Sequence, residues 1–379
     1  MKILILSAAT GGGHKRAAAA IESKIKLLSP ETEVTTVDAL KIIGKVYDKT
    51  ICEGYHFMAT KIPQVYGEFY KITDQNTPVY KAIMGSNTLM GKKLLNYIED
   101  FKPDAIIICH PFVTAMISKL KEEGKISAKA ISLLTDYDAH RTYIVPVMDA
   151  YVIAEPHMAE KLEKEYKVDK KLIYPYGIPI LDKFTEPFDR EQLCCRTGLD
   201  PNKRTVLLMA GSFGVTAVLD FYESLAIKGT GLQFIVITGR NRKLFENIEE
   251  LTEQLGTQNN TKLLYFIDNV EDYMHIADVI VTKPGGLTVT ESLACNLPLA
   301  IYNAFPGQEQ LNADFLVNAG AAISLNKKNG AEQVIELLSD DEKLSKMKEA
   351  CKKLAISDSA EKIFNLAKKL CSDSNQKEL

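Results

Sequence analysis

Lys2-Ile3-Leu4-Ile5-Leu6-Ser7-Ala8-Ala9-Thr10-Gly11-Gly12-Gly13-His14 is the stretch whose reading decides the fold. An unbroken apolar run followed by a small-residue turn predicts a strand buried on both faces that feeds a helix. The same arrangement returns in the second half as Thr205-Val206-Leu207-Leu208-Met209-Ala210-Gly211-Ser212-Phe213-Gly214. Two such openings predict two similar units.

Working outward, β-branched runs predict further strands at 34–37, 105–109, 130–134, 150–153 and 172–174. In the second half they fall at 233–237, 262–266, 279–281, 299–301 and 322–325. Helical patterns separate them, so the class is α/β: two Rossmann-like, doubly wound parallel-sheet domains facing a cleft. The linker reads as Tyr176-Gly177-Ile178-Pro179-Ile180, followed by Pro187. The expected division is 1–178, 183–355, and a C-terminal helix and tail at 356–379. Residues 41–102 form an insertion without a strand pattern. It mixes tyrosine and phenylalanine with 9 Lys against 6 Asp+Glu. Rings and ammonium groups together suit a membrane interface. An ordinary pair of amphipathic helices is the alternative.

Composition narrows the function. The 379 residues carry a net charge of −3, with 46% apolar and 25% charged residues. These values exclude disordered and fibrous classes and argue against nucleic acid as a partner. Residues 1–190 are net +2 and the rest net −5. Seven cysteines without a C-x-x-C pair predict a reduced chain with neither a disulfide framework nor a zinc site. The N-terminal apolar run is too short for a signal peptide, and no run reaches the ~18 residues of a transmembrane helix.

The richest candidate site is Lys283-Pro284-Gly285-Gly286-Leu287-Thr288-Val289-Thr290-Glu291. Amides of Gly285, Gly286 and Leu287 at a helix N-terminus suit a diphosphate, and Thr288 adds a hydroxyl. Glu291, one turn on, suits two ribose hydroxyls; a capping turn is the plainer reading. Gln308, Glu309 and Gln310 after the next strand suit sugar hydroxyls. Gly211 and Ser212 form a second phosphate turn. Arg240 and Asn241 end another strand and supply a cation and an amide. Phe266 and Ile267 end the following strand and suit flanking a base, with a place in the core as the equal alternative for Phe266. In the first half, His14 ends the glycine turn and is expected near its ordinary pKa of ~6.5, as a general base. Asp136 is expected to orient His14, act as base itself, or cap a turn. His110 is a third strand-end polar group. Asp136-Tyr137-Asp138 has the form of a metal-bridging motif, but the helix N-terminus already supplies charge, so no metal is expected. Gly11-x-Gly13-x-x-Arg16 with Asp38 half-matches a dinucleotide fingerprint, and Arg16 replaces its third glycine.

Taken together, the Gly-Gly-Gly-His14 turn, Thr135-Asp136-Tyr137 with His140, Gly177-Ile178-Pro179 and above all Lys283–Glu291 resemble glycosyltransferase family 28. The resemblance is to the monogalactosyldiacylglycerol synthases and the bacterial processive diacylglycerol β-glucosyltransferases. It implies a GT-B fold, a UDP-hexose donor (glucose or galactose) held by the second domain, and inversion at the anomeric carbon. It implies diacylglycerol as acceptor in the first domain, with Gly12, Gly13 and His110 beside it. His14 and Asp136 become the catalytic pair. The protein is expected in the cytoplasm, peripherally bound to the anionic inner face of the cell membrane, with no cofactor. Two rivals stand beside this reading: a UDP-sugar epimerase on the same fold, and a non-enzymatic UDP-sugar sensor.

Overall fold

A computed structural model describes residues 1–8, 12–44, 54, 58, 62–210 and 215–375. The chain divides into two compact units. Met1–Asp182, Pro306–Gln308 and Ile356–Leu379 make the first, and Lys183–Phe305 with Glu309–Ala355 make the second.

The first unit runs β1 (Lys2–Ser7), α1 (Gly13–Leu28), β2 (Glu33–Asp38), α2 (Ala39–Ile43), α3 (Pro63–Thr73), α4 (Pro78–Phe101), β3 (Ala105–Ile108), α5 (Pro111–Glu122), β4 (Lys129–Leu133), β5 (Ala150–Val152), α6 (Met158–Lys164) and β6 (Ile173–Tyr174). Its strands form one parallel sheet in the order β2-β1-β3-β4-β5-β6. Ile3, Leu4, Ile5 and Leu6 are wholly buried, as are Ile106, Ile107 and Ile108. Each such side chain contributes about 1.5–3 kcal/mol of apolar burial. Local signals set the helix ends. Pro78 and Pro111 occupy first turns, where their missing N–H costs nothing. Thr77 Oγ1 accepts the Tyr80 amide at 3.2 Å and so caps α4.

The second unit runs α7 (Arg190–Thr197), β7 (Thr205–Met209), α8 (Val215–Lys228), β8 (Gln233–Ile237), α9 (Arg242–Leu255), β9 (Thr261–Leu264), α10 (Val270–Ile276), β10 (Val279–Thr282), α11 (Gly286–Ala294), β11 (Leu299–Ile301), α12 (Gln308–Asn318), β12 (Ala322–Ser324), α13 (Gly330–Ser339) and α14 (Asp341–Leu354). Its parallel sheet is ordered β9-β8-β7-β10-β11-β12. Counted from its own first strand, that is the 3-2-1-4-5-6 order of dinucleotide-binding folds. Val206, Phe234, Val236, Tyr222, Leu225, Val334 and Leu337 share its core. The chain ends with α15 (Ser359–Asn375), which packs on α1 within the first unit. There Ser359 Oγ donates to the Gly177 carbonyl at 2.8 Å. Gly177 takes φ +86°, and a Cβ on it would lie 2.9 Å from that of Ile356, so the position demands glycine.

The strands stand within two residues of expectation. The clearest difference is β9, which stops at Leu264 and leaves Tyr265 and Phe266 outside the sheet, exposed.

Under the second sheet lies a buried carboxylate, Asp278. It accepts the Thr205 amide at 2.9 Å and Arg204 Nη1 at 3.2 Å, with Lys348 Nζ at 3.5 Å. Asp278→Ala strips these cations and an amide of their acceptor. It should destabilise the protein by about 3–5 kcal/mol in urea unfolding, while an exposed change such as Glu246→Ala costs less than about 0.5 kcal/mol. Equal midpoints for the two variants would contradict this.

Candidate active site

In each sheet the strand order reverses once, and the loops on either side diverge from the carboxyl ends of the strands there. Ligands of open α/β sheets bind at such points. In the first unit the reversal lies between β1 and β3. His14 follows β1 as the second residue of α1, and His110 follows β3 as the cap of α5. Their rings meet edge to face, with centroids 4.8 Å apart. His110 Nδ1 accepts the Phe112 amide at 3.3 Å, so one nitrogen of this residue is committed to holding its helix. Gly12, which caps α1, is exposed, and a Cβ there would meet nothing within 4 Å. Gly13 opens the helix beside it.

Thr135 lies 3.1 Å from His14 Nδ1 through its hydroxyl, which is also 3.3 Å from the Tyr143 hydroxyl. It immediately follows β4 and Leu134. Burial pulls the His14 pKa down to about 4, against a hydrogen bond with the Cys109 backbone that raises it. This differs from the expectation of a near-ordinary value: the half-buried ring packs against His110 and Thr135, and desolvation penalises the imidazolium. Burial likewise holds His110 well below its ordinary value, and the neighbouring His14 adds to the effect. Both rings are neutral at pH 7.

Asp136 is buried, and Gln308 Nε2 donates to its Oδ2. Pro306 and Gly307 lie against Gly67 and Tyr70 of α3, and Gly307 takes φ +94° there. The three polar residues expected to read a sugar diverge. Gln308 turns to Asp136, Glu309 accepts the Phe305 amide at 2.9 Å, and Gln310 bonds Asp314 at 2.8 Å along its own helix.

In the second unit the reversal falls between β7 and β10. Gly211 and Ser212, after β7, lie outside the described residues. After β10 the turn Lys283–Gly285 delivers the chain into α11, which Gly285 caps without any side-chain hydrogen bond. The first-turn amides, Gly286 to Thr288, have no carbonyl of their own helix to bind. A Cβ on Gly285 would meet nothing within 4 Å, so the space over these amides is open. Asn312 Nδ2 braces the turn by donating to the Pro284 carbonyl at 2.9 Å. Leu287 is buried beneath the turn, whereas Gly285 and Thr288 are half-buried. Glu291 is buried, one turn further in. A small open pocket of about 30 Å³ lies alongside, walled by Met209, Ala210, Thr282, Lys283, Tyr302 and Asn303.

Lys283 has no expected role in the sequence reading, yet its ammonium stands 3.3 Å from the centre of the Phe305 ring. Burial lowers its pKa to about 8, opposed by the charge of Glu309. Arg240 lies over the exposed Phe266 ring at 4.5 Å, which joins two expected site residues on one surface. Asn241 Oδ1 is committed to capping α9 through the Leu244 amide at 3.0 Å. Ile267 is half-buried after β9. Thr135 belongs to the Thr135-Asp136-Tyr137 motif, but its place beside His14 is not readable there, because a hydroxyl one residue before an aspartate carries no pattern of its own.

In its described part the insertion is a pair of helices, the plainer of the two readings, and several of its side chains meet protein. Tyr66 is buried, Tyr70 packs on the His140 ring at 4.2 Å, and the Tyr80 hydroxyl reaches the Ile144 carbonyl at 3.4 Å. Lys93, itself exposed, donates to the Ile43 carbonyl at 2.6 Å. These groups meet protein, whereas Lys71 and Lys81 are exposed. The outward face of α3 is mixed: Val65 and Ile72 are exposed, with Ile62 just before the helix, beside an exposed Glu68–Lys71 ion pair. Lys45, Lys49, Lys61, Tyr47, Tyr55 and Phe57 lie outside the described residues. Among those described, no helix is long and apolar enough to cross a membrane.

Residues 14–180 match the model of monogalactosyldiacylglycerol (MGDG) synthase, and residues 200–354 match that of glycosyl transferases group 1. The processive diacylglycerol β-glucosyltransferase of Bacillus licheniformis is 31% identical over 96% of this chain and 93% of its own. That of Bacillus subtilis is 30% identical over 96% and 94%. Among solved structures, MurG of Acinetobacter baumannii superposes with a TM-score of 0.63 at 15% identity, covering 97% of this chain and 99% of its own. MnaA of S. aureus, solved with UDP, gives 0.65 at 15% identity over 96% and 95%. At that identity the solved structures establish the fold, a GT-B pair of Rossmann-like units. The curated relatives go further: the chain belongs to the hexosyltransferase family of the processive diacylglycerol β-glucosyltransferases.

Proposed function

We propose that this enzyme transfers a hexose from a UDP-sugar to the 3-hydroxyl of diacylglycerol, with inversion at the anomeric carbon. The site of action is the inner face of the cell membrane. The observation that carries the reading is His14: a neutral imidazole at the switch point of the first sheet, oriented by the Thr135 hydroxyl. A neutral ring keeps a lone pair for a proton. As the acceptor oxygen bonds to C1 of the sugar, its proton passes to His14. The C1–O bond to UDP breaks on the opposite face, and its electron pair leaves with the diphosphate. The amides at the N-terminus of α11, with the helix dipole behind them, stabilise that charge, so the reading calls for no metal. The buried Glu291 and the stacked Arg240–Phe266 pair suit ribose and base.

The test incubates the protein with diacylglycerol vesicles and a panel of UDP-sugars, and identifies lipid products by mass spectrometry and anomeric configuration by NMR. A β-linked monohexosyl lipid from one donor is the expected result. No glycolipid from any donor would overturn the reading. Conversion of the UDP-sugar without acceptor would point to an epimerase.

The exposed Val65 and Ile72 of α3 support membrane contact. Val65→Asp with Ile72→Asp should weaken vesicle sedimentation roughly tenfold or more per residue. Turnover on a short-chain diacylglycerol in solution should hold within about twofold. Unchanged sedimentation would place the bilayer elsewhere.

A further inference from the structure

Asp74, at the C-terminal end of α3, collects an unusual set of partners. The Tyr166 hydroxyl lies 2.6 Å from its Oδ1, and the Arg141 amide donates to the same oxygen at 2.8 Å. Lys161 Nζ is 3.3 Å from Oδ2, and His140 Nε2 is 3.9 Å from Oδ1. The Asp74 carbonyl accepts Arg141 Nε at 2.9 Å. One turn back, the Tyr70 carbonyl lies 3.1 Å from His140 Nε2. The same partners reach the residues just before: Lys161 pairs with Asp138 at 2.7 Å, and the Tyr166 hydroxyl is 3.1 Å from the Ala139 carbonyl. Arg141 and Lys161 lie over the Tyr166 ring at 4.7 and 5.6 Å.

Every residue from Asp138 to Arg141 is therefore tied to α3 or to the Lys161–Tyr166 segment. Thr135 and Asp136 stand immediately before this run, and Thr135 orients His14. Burial pushes the Asp74 carboxyl up, but Tyr166, His140, Arg141 and Lys161 outweigh it and keep it ionised. Buried ionic clusters of this kind are poor stabilisers compared with apolar packing, and their best use is to select one geometry. We propose that Asp74 is a positioning residue for the acceptor site, a clasp that sets the loop carrying Thr135 and Asp136 against the α3–α4 hairpin. This rests on the reading of His14 and Asp136 as the groups at the acceptor hydroxyl.

The test uses Asp74→Asn and the milder Tyr166→Phe in the full chain, assayed on vesicles. Both should lower kcat by about tenfold or more, because a small misplacement of reacting groups costs that much. The KM for the UDP-sugar should hold within about twofold. In an Asp136→Asn background Tyr166→Phe should add less than about twofold, since the two changes act on one element. A purely structural role predicts the opposite: lowered thermal midpoints, unchanged kcat for Tyr166→Phe, and additive effects. Full activity of Tyr166→Phe and Asp74→Asn beside an inactive His14→Ala overturns the positioning role alone. Full activity of His14→Ala and Asp136→Asn overturns the reading of the site, and this role with it.

Discussion

His14→Ala lowers kcat by about 10²–10⁴-fold and leaves the affinity for the UDP-sugar within about twofold. The imidazole stands in the first unit, held through Nδ1 by Thr135 and edge-on by His110, whereas the helix terminus proposed for the diphosphate belongs to the second. On the proposed mechanism, removing the ring deletes proton transfer and leaves those amides in place. Single-turnover assays on vesicles, paired with UDP binding by calorimetry, separate the two. A near wild-type kcat with intact UDP binding would remove His14 from the base role. The pH profile supplies a second check. With a pKa of about 4, His14 stays neutral down through about pH 5, so the acid limb of kcat/KM lies close to 4 rather than 6.5. The sign for stability is set by the same shift. The unfolded chain protonates His14, His110 and His140 near 6.5, and the folded chain binds those protons only at lower pH. Their contribution to stability is complete above about 6.5 and is lost as the pH falls from there toward 4.

Gly285→Asp should raise the KM for the UDP-sugar by about 10²–10³-fold while leaving the fold as stable as before, or slightly more stable. The backbone there is extended, at φ −71° and ψ 137°, so any residue is tolerated, and its Cβ enters open space. Aspartate is a favoured N-cap, worth about a few tenths of a kcal/mol over glycine at a helix start that now has no side-chain cap. The same carboxylate lies where a diphosphate would meet the first-turn amides. Two like charges about 4 Å apart repel by roughly 4 kcal/mol at a partly buried site. Gly285→Asn is the control, because it has the same shape and capping ability without the charge. Thermal melts with initial rates over a range of UDP-sugar concentrations decide the matter. A normal KM for the aspartate variant would mean that the diphosphate binds elsewhere.

The fold was legible because parallel strands buried on both faces must be apolar at successive positions, as at Ile3–Leu6 and Val279–Val281. The helix-opening glycines at Gly12–Gly13 and Gly285–Gly286 were legible for a related reason: a chain leaving a strand end for a helix has few side chains it can carry there. The site was legible only in outline. Lys283 looks like any surface lysine until Phe305 is brought under it, 22 residues later in the chain. Asn241 looks like a ligand amide until its place one step before α9 makes it a cap. The composition of residues 41–102 implied a basic aromatic surface. Composition cannot say which way a side chain turns, and in the described part the tyrosines and Lys93 turn to protein.

By itself, then, the sequence determined two doubly wound units, the strands of each, and a glycine turn that opens a helix at Lys283–Thr288, because these depend on local periodicity and backbone permissiveness. Tertiary structure decided the electrostatic state of His14, the partner that orients it, and the convergence of Asp74, His140, Lys161 and Tyr166 on one loop. Those properties come from desolvation and from contacts between residues far apart in the chain. Both appear only once the sheet has brought its strand ends together.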